Sequence, residues 1–463
     1  MADLSRRGLL ALAGLGAVGT AFSWDRLIAK DIPGRDTDAL TVVILGTAQD
    51  AAARKNLVDA FRGKNPDIKV RVQGIQGTDW SDYFAKILTL VAAGTAPDVV
   101  LVATEGAQLF ADRLAHPLDE YVVRDQAEIQ EYFDDVHPAL IEAFMYQGSL
   151  FQVPIDFNAA NIYYNTKAWE RAGLARPADD WTVDDFLDAS RRMARSAKGS
   201  FRPFYWTNRL WGGVVPWLYA NDTSFLTESK AGGGSWLWDK FYPDDPSSAS
   251  RGGGFQWLEP NAEDPRVAET FEMLRAMVAD GLASSPAQGG GNELVGRFAD
   301  GQIGMTPAGG FWVDGLAAGG MKPGDYDVQF FPRGRVQRHQ FGAAGYAILK
   351  TSQRKDEAWE WIKFCCSREG MQMSIPIPNT TPTRRSMVNA TFYEGKGPEH
   401  WKVFYDTLDR FPTTAPIPAP PQQAAVETAL IKNVVGILTG SAGNVRRGLS
   451  GMQRDLELAL KEK

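Results

Sequence analysis

Cysteine is nearly missing from this chain. The only two, Cys365 and Cys366, are adjacent, so they cannot staple distant segments, and no disulfide framework holds the fold. On a helical stretch they read as small core-filling side chains, with a vicinal disulfide or a metal site as the alternatives. Histidine is scarce too: His116, His137, His339 and His400 are the full set. They are scattered, without an i, i+4 pair or an acidic partner at metal spacing, which speaks against zinc catalysis. Positive charge is not in excess. Lys and Arg number 49 against 56 Asp and Glu, for a net charge of −7, and no basic run stands out, a poor design for binding nucleic acid or anionic membranes. No stretch reaches the ~18 consecutive apolar residues of a membrane span. No serine elbow, zinc helix or phosphate loop is found, and no cofactor is expected.

One apparent exception is Gly14-Leu-Gly16-Ala-Val-Gly19, which has the spacing of a dinucleotide loop. Such a loop needs a buried strand in front of it, and here Arg6-Arg7 and a short apolar run lie directly upstream. Residues 1–30 read instead as a twin-arginine export signal: a basic start, then an apolar region too short for a permanent anchor. That implies a periplasmic protein. The chain has 463 residues, more than the roughly 250–300 at which a single core stops growing, so two lobes are expected.

Downstream, the run at 40–45 and the run at 98–102 are continuous and apolar, as buried strands are, while Ile68, Val70 and Val72 alternate. Between them, Ala53, Leu57, Val58 and Phe61, then Tyr83, Phe84, Ile87, Leu88 and Val91, recur at helical spacing. This order predicts a parallel sheet covered on both faces. The pattern restarts with a strand at 161–165 and a helix opened by Thr182 with Asp185 as capping-box partner. Further strands are expected at 326–331 and 341–349, a helix at 356–366, and two closing helices, the second capped by Asn444. From 201 to 258, Trp206, Trp211, Trp217, Trp236, Trp238 and Trp257 interleave with glycine triplets. That density of rings in loop-like sequence is more than core filling predicts.

Four stretches in this order, "FRGKNPDIKVRVQG" through "AAGTAPDVVLV", "LFQVPIDFNAANIYYNTKAWERAGL", "FADGQIGMTPAGGFWV" and "GYAILKTSQRKDEAWEWIKFCCSREG", resemble the carbohydrate-type solute-binding proteins of ABC importers, the family that includes maltose-binding protein. The resemblance covers nearly all of the chain after the signal. It implies an α/β, periplasmic-binding-protein type II fold: two α/β lobes joined by a hinge, with the ligand cleft between them. The lobes would be 40–153 plus 342–382 and 154–341 plus 383–463. It further implies capture of a mono- or oligosaccharide or sugar derivative, delivery to an ABC transporter membrane permease, no enzymatic activity and a monomeric state.

Sugars present hydroxyl edges and weakly apolar faces, which suit fixed polar groups and aromatic rings respectively. Loops at the carboxyl ends of strands supply the candidates. Gln49 and Trp80 follow the first two strands, as a hydroxyl partner or a helix-start residue and as a stacking ring or a helix pin. Glu105 aligns with an acidic ligand contact of the family, or is a solvated helix start. Asp156 and Asn158 bring polarity into an apolar crossing segment and either meet ligand or brace the hinge. Trp211 and Trp312 are the aromatic candidates of the second lobe, against core packing, and the glycines before Trp312 would let backbone approach a ligand. Tyr346 and Arg384 complete the set, each with a structural role as its alternative. Two other functions share these residues: the same fold binding a polyamine, polyol or anionic sugar, and a glycoside hydrolase using Glu105 and Asp156 as paired carboxylates.

Overall fold

The computed structural model describes residues 38–197, 199–206, 208–286 and 291–462, so the expected export signal lies outside the described residues. The strands, in chain order, are β1 (Leu40–Leu45), β2 (Val70–Ile75), β3 (Val99–Ala103), β4 (Met145–Tyr146), β5 (Ser149–Leu150), β6 (Val153–Ala159), β7 (Asn161–Asn165), β8 (Arg202–Phe204), β9 (Leu226–Lys230), β10 (Phe255–Pro260), β11 (Ile303–Ala308), β12 (Tyr326–Gln329), β13 (Gln340–Ile348), β14 (Thr381–Pro382) and β15 (Ala415–Pro416). The apolar run at 40–45 is β1 itself. Leu40, Val42 and Ile44 enter one core cluster and Val43 the cluster on the opposite face, which is why the run is apolar apart from Thr41.

Two sheets carry the molecule. The larger has the order β14-β6-β13-β3-β1-β2, with β15 on β13; the smaller has the order β12-β7-β11-β8. β1 pairs in parallel with β2 and β3, as the strand-helix alternation predicted. β13 runs antiparallel to both β3 and β6, so the larger sheet is mixed rather than parallel throughout. Ala160 alone separates β6 in the larger sheet from β7 in the smaller. One extended run therefore crosses between the two α/β lobes. The closing helices Gln423–Leu438 and Val445–Ala459 bury Val426, Leu430, Leu449 and Met452 in the core of the smaller-sheet lobe.

Local signals hold where they are self-contained. Thr182 and Asp185 form the reciprocal capping box, and Asn444 Oδ1 accepts from Arg447 N at 2.8 Å. Cys365 and Cys366 are free, buried thiols on the helix Lys355–Cys366, and burial pushes Cys366 up to about 12. His400 does meet an acidic group, at long range: its Nδ1 lies 2.5 Å from Asp327 Oδ2. Asp327 already accepts from Tyr164 Oη and from His400 N. Among the described residues, no helix is long and apolar enough to cross a membrane.

The tryptophan-rich stretch is mostly core after all. Trp206, Trp217, Trp238 and Trp257 are each 4% exposed or less. Strands β9 and β10 pair as an antiparallel hairpin, and Leu226, Phe255 and Trp257 at its stem join the core of the smaller-sheet lobe. Its tip does not. The helix Ser235–Phe241 buries Leu237, Trp238 and Phe241 in the core of the larger-sheet lobe, with Phe241 and Phe133 ring centroids 4.2 Å apart. Fully buried Glu142 anchors the strap, pairing with Lys230 at 2.7 Å and Arg251 at 2.9 Å.

Candidate functional site

A cavity of about 330 Å³ opens between the two sheets, at the small end of the roughly 300–1,000 Å³ typical of small-molecule sites. The larger-sheet lobe supplies Trp80 from a helix start, Glu105 from the turn after β3, Asp156 and Asn158 from β6, and the backbone of Gly342 to Ala344. Arg54, Ser374 and Thr380 close that side, and Arg209, Trp211 and Phe311 face it from the other lobe.

Aromatic rings form two of the walls. Trp80 is held by Phe84 and Tyr83, with centroids 5.8 and 5.6 Å away. Across the cavity Trp211 packs edge-on against Phe311 at 5.2 Å. Trp211 also lies flush on β13: a Cβ at Gly342 would sit 2.8 Å from its indole, so the ring position depends on that residue having no side chain.

The polar groups between the rings are half-buried in the cavity wall. Burial pushes the Glu105 carboxyl up to about 7, Arg209 opposes the rise and Glu427 adds to it. Burial likewise pushes Asp156 up to about 7, against a hydrogen bond from Ala344 N at 3.2 Å and the charge of Arg54. Burial also works against the charge of Arg209, while Glu105, Glu427 and Asp79 favour it. Arg209 is fixed by its Nε, which donates to Trp211 O at 3.1 Å, and Arg54 Nη1 donates to Ser374 O. Asn158 Nδ2 donates to Thr380 Oγ1 at 3.0 Å, but Asn158 Oδ1 and Ser374 Oγ are buried with no partner among the described residues. Asn158 Oδ1 faces the Gly309–Gly310 backbone, so what the wall offers a guest is ring faces together with carboxylates and guanidinium groups.

A family model described as bacterial extracellular solute-binding protein matches residues 46–372. The chain belongs to that family. This solute-binding protein is similar to an ABC substrate-binding protein from Listeria monocytogenes in complex with cycloalternan, at 20% identity and TM-score 0.70 over 91% of this chain and 98% of that one. It is similar also to the GacH receptor of Streptomyces glaucescens, solved unliganded and with acarbose, at 18% identity and TM-score 0.70 over 91% and 99%. A lactose-binding protein of Rhizobium radiobacter is 21% identical over 323 residues, 68% of this chain and 67% of that protein. The structural likeness shows the fold, the type II periplasmic-binding-protein architecture of two α/β lobes around a cleft.

Of the nine residues expected from the sequence of the solute-binding protein, the structure brings five to the cavity: Trp80, Glu105, Asp156, Asn158 and Trp211. Four lie elsewhere. Gln49 is exposed on the helix Ala48–Ala53, its N–H donating to Thr47 Oγ1. Trp312 is 4% exposed and packs on Tyr163 and Phe298. The helix Trp312–Ala318 begins there, and its preceding residue, Phe311, is the ring that reaches the cavity. The glycines before them approach protein rather than ligand, since Cβ atoms at Gly309 and Gly310 would meet Asn158 and Thr381. Tyr346 is buried in the larger-sheet core. The register shift next to it lies on β6, where Ile155 falls between the partners of Ala344 and Gly345, while β13 itself pairs with β3 without a break. Arg384, 2% exposed, donates to Cys366 O at 2.8 Å and to Asp135 at 3.3 Å, which ties helices together rather than facing a ligand.

Sequence reasoning passed over Arg54, Arg209, Phe311, Ser374 and Thr380. Only Arg209 left a trace, as a lone cation amid the apolar "RLWGGVVPW", where a charge needs a partner. Ser374 and Arg54 are 320 residues apart along the chain, a proximity no local pattern encodes.

Proposed function

We propose that this solute-binding protein is exported to the periplasm by the twin-arginine route, captures a carbohydrate there and hands it to an ABC transporter permease. The observation that carries this reading is the cavity itself: rings from both lobes enclose carboxylates and guanidinium groups. Flat indole faces suit the C–H faces of a pyranose, and the polar groups suit its rim. The names of the similar proteins, which bind lactose, cycloalternan and acarbose, support the same class. In this reading Trp80, Glu105, Asp156, Asn158 and Trp211 contact ligand together with Arg54, Arg209 and Phe311, and the protein is a monomer that performs no chemistry on its guest.

The proposed mechanism is population shift. The lobes, one built on the larger sheet through β6 and the other on the smaller sheet from β7, with the crossing at Ala160 rather than at the expected boundary of 153 and 154, interconvert between open and closed arrangements. A guest touching both walls binds the closed one more tightly and so increases its share. The experiment is a thermal-shift screen of neutral sugars, polyols, sugar acids and polyamines. A native-state ligand at a hundredfold excess over Kd adds about 2.7 kcal/mol, so neutral sugars should raise Tm. A rise with polyamines or sugar acids alone would overturn the assignment.

A further inference from the structure

Glu427 lies on the helix Gln423–Leu438, which packs with the smaller-sheet lobe, and it is absent from the cavity lining. It nevertheless touches both walls of that cavity. Its Oε2 accepts from Ser81 Oγ at 2.5 Å, and its Oε1 accepts from Leu210 N at 3.4 Å. Ser81 follows Trp80 in the first turn of the helix Trp80–Ala92 of the other lobe. Leu210 lies between Arg209 and Trp211. Gln423, one turn earlier, donates from Nε2 to Glu427 Oε2 at 2.7 Å and to Ser81 Oγ at 2.8 Å, which closes a three-member ring of hydrogen bonds across the lobe boundary.

We propose that Glu427 is a positioning residue that clasps the two lobes beside the cavity, setting the Trp80 wall against the Arg209–Trp211 wall. This rests on the cavity being the ligand site. Three features favour a clasp over polar side chains that happen to meet. Both carboxylate oxygens are engaged, the bonds run to different lobes, and both partners adjoin cavity-lining residues. Charged groups face it from each side: Asp79 from the Trp80 helix start as a like charge, Glu105 from the turn after β3 as another, and Arg209 as the counter-charge. Burial pushes the Glu427 carboxyl upward, and its bonds to Ser81 and Leu210 oppose that rise.

The test uses the full chain and the variants Ser81→Ala, Ser81→Thr and Glu427→Ala. Small-angle scattering of the ligand-free proteins reads the lobe arrangement, and titration with lactose and with maltose reads binding. Losing a charge-assisted hydrogen bond is worth about tenfold, and such changes fall mainly on dissociation. Ser81→Ala and Glu427→Ala should therefore increase the radius of gyration and, for a sugar the parent chain binds, speed dissociation about tenfold. Ser81→Thr, which keeps the hydroxyl, should match the parent in both readouts, and a purely structural loss would not be rescued this way. Unchanged scattering in Ser81→Ala and Glu427→Ala, with all three variants folded by circular dichroism, would overturn the clasp. If the lobes open while the parent binds neither lactose nor maltose nor any other sugar, the clasp stands and the carbohydrate reading falls.

Discussion

Replacing Glu105 by Gln should make the empty protein more stable above neutral pH. The carboxyl is raised from 4.5 to about 7, chiefly by burial. In the folded state it therefore holds its proton where the unfolded chain has released it. Below about pH 4.5 both states are protonated and the group is neutral in its effect. As pH rises through the window from 4.5 to 7 a penalty accumulates, and above 7 it levels off. At about 1.4 kcal/mol for each pH unit of that window the full penalty is roughly 3 kcal/mol, and access of water through the cavity lowers it to about 1–3 kcal/mol. Gln keeps the shape and cannot ionise, while Glu427 and Asp79 still face Arg209. Thermal unfolding of the ligand-free protein at pH 8.5 and pH 5.0 reads the difference. At about 2–4 °C per kcal/mol, Glu105→Gln should melt several degrees higher than the parent at pH 8.5, and most of that gain should vanish at pH 5.0. A variant that melts no higher at pH 8.5, or gains equally at both, refutes the argument that burial holds this carboxyl up. The same substitution should weaken saccharide binding, since a strained site is commonly the functional one.

Trp211→Ala and Phe311→Ala should each weaken saccharide binding by about 1–3 kcal/mol, as lost aromatic anchors do, in isothermal titration with unaltered far-UV spectra. Trp312→Ala should instead lower stability by about 3–5 kcal/mol through a core cavity, visible as a drop in the urea midpoint. Arg384→Ala should cost about 1–3 kcal/mol by leaving Cys366 O without its buried donor, whereas exposed Arg385, paired with Asp409, should cost about 0–1 kcal/mol; equal losses would refute the assignment of Arg384 to the frame. Glu142→Gln should cost about 3–5 kcal/mol by stranding Arg251, and proteolysis around 231–254 should accelerate.

What could be read from the sequence were features whose cause is local. β1 and β7 were visible as apolar runs of strand length, and the helix that Thr182 and Asp185 cap was visible from those two residues. Of the expected residues that do line the cavity, Trp80 and Glu105 follow strands and Asp156 and Asn158 sit on β6, where chain direction alone puts side chains near a cleft, while Trp211 was chosen for its ring. The failures share another cause. Phe311 and Trp312 are neighbours, and which ring turns outward depends on where a helix starts, a matter of one residue. Tyr346 faces the core, and which face of β13 is covered depends on the strands and helices packed on it, not on the local sequence. Arg384 is held by groups 18 to 253 positions away, and the tryptophans of 201–258 found their core in two different lobes.

The strap has a consequence for how the chain tolerates change. Its glycine triplets look like spacer, the part of a protein one would lengthen, shorten or overwrite first. Yet a methyl group on Gly253 would fall 2.4 Å from Gly232 O, and one on Gly254 would fall 2.1 Å from Met145 O. Backbone there meets backbone with no side chain between, so a single added carbon would prise the hairpin from its seat on the 145–148 turn, and the stretch that looks most like filler is among the least replaceable in the molecule.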